Sequence, residues 1–157
     1  MMMVELGARI TLIFMKKTLL HEELSKSIIG AFFEAYDDLD FGFLEHICVN
    51  TLEKELLRRG HVVARELGVP VWVKNEIVGT QRLDVVVDDK IVVEVKSSWA
   101  LPPSALRQLT SYLRGTNLKV GLLLHFGEEP KFYRCVLSNK NKKNLRPPSA
   151  PNPPDPR

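Results

Sequence analysis

Residues 82–98 read "RLDVVVDDKIVVEVKSS". Six valines and one isoleucine give this stretch the β-branched character of buried strands, with "DDK" as the turn between them. Asp84, Glu94 and Lys96 nevertheless sit among the valines. A buried charge is costly unless it is paired or binds a metal. Side chains alternate along a strand, so Glu94 and Lys96 face one side while Val93 and Val95 face the other. A three-residue loop, Asp88–Asp89–Lys90, pairs Val87 with Ile91 and Asp84 with Glu94, with Cβ atoms roughly 5 Å apart. A two-residue loop would put Asp84 beside Val93 instead. Two carboxylates that close repel one another, and a divalent cation between them relieves the repulsion. Mg²⁺ takes one or two carboxylates together with waters and a substrate phosphate. Lys96 faces the same cavity, placed to hold an attacking water or neutralise the phosphate. The set suits phosphodiester hydrolysis. The plainer alternative is an Asp84–Lys96 salt bridge on a solvated sheet face, and the valines around the acids argue against an open surface.

The flanking sequence supplies helices to cover such a sheet. From Leu24 the apolar residues fall at helical spacing through Ile28, Ile29, Phe32, Phe33 and Tyr36. Ser25 or Thr18 is the expected cap. "DDLDFG" breaks this helix. A second runs from about Phe43 to Arg59, and Gly60 ends it in the favoured position. Three or four antiparallel strands follow, with "LGVP", "KNE" and "DDK" as turns. "PPSALRQLTSYLRGT" is helical, with proline at its start and Gly115 at its end. "KVGLLLHF" and "KFYRCVL" are two further strands about the turn "GEEP". The order predicts an α/β or α+β domain, a mixed sheet flanked by helices.

Composition narrows the class. The 157 residues carry a net charge of +3, but residues 138–157 hold a net +4, which leaves −1 for the remainder. Charge alone therefore does not point to nucleic acid. Cys48 and Cys135 lie far apart with no metal-ligand spacing, so neither zinc nor a disulfide framework is expected, and a reducing cytoplasm is. No apolar run approaches the roughly 20 residues that span a bilayer. Residues 1–17 read as a poorly ordered or mis-assigned extension whose lysines follow the apolar stretch, the wrong order for a secretory signal, and Met15 is a more natural start. Residues 18–137 are the expected domain. The Pro- and Lys-rich stretch 138–157 is expected to be disordered.

At this point the chain resembles a known family. It is similar to the PD-(D/E)xK nuclease superfamily, and within it to the small GxxExxY proteins, over roughly residues 19–137. "LLHEELSKSIIGAFFEAY" resembles the family's first helix. "GFLEHIC" carries Gly42 and Glu45 of the naming motif, with Cys48 where the tyrosine stands. "LDVVVDDKIVVEVK" matches the metal-binding hairpin through Asp84, Glu94 and Lys96. "QLTSY" matches a QxxxY helix motif through Gln108 and Tyr112, and "KVGLLLHFG" the strand after it. Leu83 stands where the superfamily's name has proline. The resemblance implies a restriction-endonuclease-like core and Mg²⁺- or Mn²⁺-dependent cleavage of DNA. Asp84, Glu94 and the backbone carbonyl of Val95 would hold the metal. Lys96 would orient the water. Glu45 would act on the nucleophile or reach the metal through water, with Glu34 a weaker rival. Gln108 and Tyr112 would contact DNA or brace Lys96, with a plain amphipathic helix face as the alternative. Apart from the resemblance, Trp99 beside the active strand is placed either to stack on a base or to pack at the rim.

The four histidines show no metal spacing, and a structural role is expected of each. Core or rim packing is expected of Trp72. Other relatives of this fold keep the shape without catalysis. The competing readings are therefore a non-catalytic module that binds nucleic acid or a partner, and a structural subunit of a repair or defence assembly. The near-neutral body favours help from a protein partner or a second copy.

Overall fold

The computed structural model describes residues 2–6 and 20–150. Strand β1 (Met2–Leu6) is followed by helices α1 (Glu22–Leu39) and α2 (Glu45–Arg58). Three strands come next, β2 (Val63–Val73), β3 (Glu76–Val87) and β4 (Ile91–Ser97). Helix α3 (Ser104–Arg114) leads to β5 (Val120–Phe126) and β6 (Pro130–Val136). Among the described residues, six strands form one sheet in the order β1-β6-β5-β4-β3-β2. Only β4 and β5 run parallel, because α3 carries the chain across between them; the other neighbours are antiparallel. The expected class, a mixed sheet with flanking helices, is what is found.

Alternation along the valine-rich strands divides the core. Val85, Val87, Ile91, Val93 and Val95 pack with Ile28, Phe32, Leu52 and Leu56 of α1 and α2. Val86 and Val92 pack with Ala105, Leu109 and Leu113 of α3 on the opposite face. β4 and β5 are covered on both faces, which explains their nearly continuous apolar sequence.

The turn after β3 has the three-residue form. Asp88, Asp89 and Lys90 connect Val87 to its partner Ile91, with Asp88 and Asp89 at φ 52° and 53°. A partly buried tether fixes this turn. Ser27 Oγ lies 2.6 Å from His61 Nε2, and His61 Nδ1 lies 2.8 Å from the Asp88 carboxylate, which also accepts the Val62 N–H. Thus α1, the end of α2 and the hairpin are tied together. Gly60, at φ 86°, donates to Leu57, and His61 donates to Leu56, which closes α2 with a Schellman motif.

Several sequence expectations are corrected. "LGVP" is not a turn: β2 runs through it, and Pro70 is tolerated because β2 is an edge strand. The expected turn at "KNE" is present: Lys74 and Asn75 join β2 to β3, both at positive φ, as a two-residue hairpin requires. Ser25 does not cap α1. It lies buried inside the helix, within 3.5 Å of Arg134 Nε, and His21 occupies the N-cap without a side-chain bond. Thr18 lies outside the described residues. The start of the chain supplies β1 along β6, while 7–19 fall outside the described residues. The C-terminal stretch is not free of the body throughout. Asn139–Asn141 form a short 3-10 turn, Lys142 Nζ donates to the Thr116 carbonyl at 2.7 Å, and Asn144 bonds the Trp72 backbone. Its lysine and asparagine find the unsatisfied carbonyls at the end of α3 and the edge of β2, a gain that composition does not reveal.

Candidate active site

The β3–β4 ladder runs from Val87↔Ile91 to Val85↔Val93 and stops. One step further the register sets Asp84 against Glu94, where the two strands part. Beyond that point β4 continues beside β5 alone, carrying Glu94, Val95 and Lys96. Opposite Asp84 on its other side, Glu66 adopts φ 51° and interrupts the β2 ladder. The irregularities on both sides of Asp84 open a cleft of about 180 Å³, lined by Glu45, His46, Val49, Arg65, Glu66 and Asp84.

Glu94 is the least expected side chain here, a carboxylate only 1% exposed. One of its oxygens lies 3.0 Å from Lys96 Nζ. The other is buried without any hydrogen-bond partner. Its carboxyl is pushed up to about 7, first by burial and then by the charge of Asp84; Lys96 pulls the other way. Burial opposes the charge on Lys96, but Glu94, Glu45 and Asp84 outweigh it and hold the ammonium above its ordinary range. Glu45, at the first turn of α2, lies 4.0 Å from Lys96 Nζ. Burial and Asp84 raise its carboxyl against the pull of Lys96. Four of the expected residues, Asp84, Glu94, Lys96 and Glu45, are therefore brought together from three elements.

The others are placed differently. Tyr112 is 6% exposed and packs in the α3 layer. Its phenol is pushed up to about 12 by burial and by Glu94 and Asp84, and it accepts a 2.6 Å hydrogen bond from Gln108. Tyr112 thus borders the acidic cluster from beneath and supports Gln108, which is exposed. The Tyr112 ring fills the layer under α3. Trp99 is exposed, just past the end of β4, with its ring 4.8 Å from that of Phe41. Glu34 is exposed on α1 and takes no part in the cleft lining. Cys48 fills the tyrosine position of the GxxExxY motif as a buried thiol whose Sγ lies 3.9 Å from the Phe43 carbonyl.

The sequence reading missed Arg65, Glu66 and His46. Arg65 is held by Glu53 and by Asn50 at 3.1 Å, while its Nε is buried without a partner. No local motif marks these residues. The signal was the interruption of β2, which no propensity at Glu66 announces.

A family profile described as the PD-(D/E)XK nuclease superfamily matches residues 22–135, from the start of α1 almost to the end of β6. The chain belongs to that superfamily. No match is found among curated proteins or among solved structures. Membership of the superfamily suggests nuclease activity on a nucleic acid. Superfamily nucleases generally use divalent metals. Here the donor chemistry fits such an ion: two adjacent carboxylates, one with an unpartnered buried oxygen, are hard oxygen ligands of the kind Mg²⁺ prefers. Among the described residues no group of three or more His, Cys, Asp or Glu side chains forms a ready cage, so waters and substrate oxygens would complete the shell. No helix among them is long and apolar enough to cross a membrane.

Proposed function

We propose that this chain is a divalent-metal-dependent deoxyribonuclease whose cleft hydrolyses phosphodiester bonds. The observation that carries the reading is the buried Glu94 carboxylate, with one oxygen on Lys96 and the other unpartnered beside Asp84. A structural ion pair would satisfy both oxygens; a ligand site leaves one waiting.

Asp84, Glu94 and the Val95 carbonyl would hold Mg²⁺ or Mn²⁺. When bound, the ion supplies charge neutralisation at the scissile phosphate and acidifies a water. Lys96, positioned by Glu94, holds the attacking water in line with the phosphorus. Glu45, with its raised carboxyl, is matched to take the water's proton. The water oxygen bonds to phosphorus as the bond to the departing nucleotide oxygen breaks. Arg65, oriented by Glu53 and Asn50, faces the same cleft with donors for a phosphate oxygen. Gln108 reaches the substrate from α3. The chain's GxxExxY-like features, Gly42 and Glu45, suit that narrower grouping, and Cys48 departs from it.

The test is cleavage of single-stranded, duplex and branched DNA with Mg²⁺ or Mn²⁺, comparing wild type with Lys96→Ala. Wild type is expected to cut only with the ion. Lys96→Ala should lose roughly 100-fold or more in rate, the scale of a lost proton-handling or positioning group, while still binding the metal. If wild type cuts none of the three with either ion, the reading of a self-sufficient nuclease fails, and a non-catalytic binding module on the same fold takes its place.

A further inference from the structure

Beside the acidic cluster lies an exposed apolar surface that the hydrolytic reading does not use. Trp99 is 73% exposed, three residues beyond Lys96. Phe41 meets it edge to face, with ring centroids 4.8 Å apart and planes at 72°. Phe43 and Leu44 are also exposed, immediately before Glu45. The surface is built rather than accidental. Ser97 Oγ donates to the Phe43 carbonyl at 2.6 Å, which fastens the 40–44 loop to the end of β4. The same short loop therefore joins the aromatic pair to the cleft wall.

Water-exposed tryptophan beside a phosphate-handling site has a natural ligand in the face of a base. We infer that Phe41 and Trp99 form a stacking platform for an unpaired nucleobase next to the scissile phosphate, so that the substrate is single-stranded or frayed nucleic acid. Charge supports this choice over duplex. The whole chain carries a net charge of only +3, so long-range attraction to a phosphate backbone is modest and stacking adds affinity that charge does not supply. A base can lay its face on a tryptophan only where it has left the helical stack, which the interior of a closed duplex does not offer. The inference rests on the nuclease reading for its location, but its test needs no cleavage.

The full chain is titrated in metal-chelating buffer with an oligothymidylate of about 12 nucleotides, a length within the usual single-strand site sizes, while tryptophan fluorescence is followed. Trp72 is buried, so quenching reports on Trp99. Three comparisons accompany it: the same backbone without bases, a blunt duplex, and the variants Trp99→Ala and Trp99→Phe. The platform predicts quenching by the oligothymidylate, roughly 10-fold weaker binding of the baseless strand and of Trp99→Ala by fluorescence anisotropy, weaker binding of duplex, and substantial rescue by Trp99→Phe. Unchanged melting of both variants is expected, since Trp99 is exposed. Equal affinity for the baseless strand, tighter binding of duplex, or concentration-dependent self-association abolished by Trp99→Ala would each overturn the inference, the last by assigning the surface to a second copy of the chain. Failure of cleavage with stacking intact would overturn the nuclease reading alone.

Discussion

Glu94 carries its cost in the absence of an ion. Burial and the charge of Asp84 push its folded carboxyl up to about 7 from an ordinary 4.5, so the folded state holds that proton more tightly than the unfolded chain. The unfolded state therefore binds fewer protons between those values, and stability falls as pH rises through the window. Above it the penalty is complete, on the order of a few kcal/mol. Glu94→Gln keeps the shape and removes the charge, while Lys96 retains Glu45 and Asp84 as neighbours. In metal-free buffer, chemical denaturation should show wild type losing stability from about pH 5 to about pH 8 and the variant changing far less. Parallel profiles would mean that Glu94 is not under strain. At this scale the sequence was unusually legible. Alternation reduced the question to the length of one turn, because a strand has only two faces, and the three-residue turn sets Asp84 against Glu94. Tyr112 was less legible, since a helix spacing of four residues marks a shared face without saying whether that face meets solvent or core.

Elements pack here with little room to spare. A Cβ at Gly121 in β5 would stand 2.8 Å from Leu109 Cδ1 on α3, and Leu109 is fully buried. The parallel β4–α3–β5 crossing thus depends on glycine at one point of closest approach. Gly121→Ala should destabilise the fold by about 1–3 kcal/mol through overpacking, measured by urea unfolding. An unchanged midpoint would show that α3 shifts freely on the sheet. The helices and inner strands were readable from their periods, and the end of α2 from Gly60. The course of β2 was not. Gly68 and Pro70 are turn residues by chemistry, and only the edge position of β2 lets the strand absorb them. The cleft opened by Glu66 was hidden for the same reason, since it depends on pairing between distant segments.

The whole molecule includes more than the sequence reading allowed. An apolar groove of about 300 Å³ runs between the β2–β3 hairpin and the end of α3, with Leu145 and Arg146 of the C-terminal stretch among its walls. Lys142 is pressed against carbonyls there, and burial first and Lys119 second lower its ammonium to about 8. Ending the chain after Leu137 removes these contacts and should cost about 1–2 kcal/mol, or roughly 2–8 °C in melting temperature. Ending it after Arg146 should cost almost nothing. Equal melting of both truncations would return the entire stretch to the status of a solvated tail. Composition could not reveal this contact, because prolines and lysines bury little area and the gain lies in backbone carbonyls supplied by other elements.

Everything proposed for the cleft depends on Asp84 and Glu94 sharing a divalent ion. Calorimetric titration of the full chain with Mn²⁺, beside Asp84→Ala and Lys96→Ala, tests that dependence without any substrate. The account predicts saturable binding by wild type and by Lys96→Ala, and its loss in Asp84→Ala. Binding that survives unchanged in Asp84→Ala, or none in wild type, would contradict it.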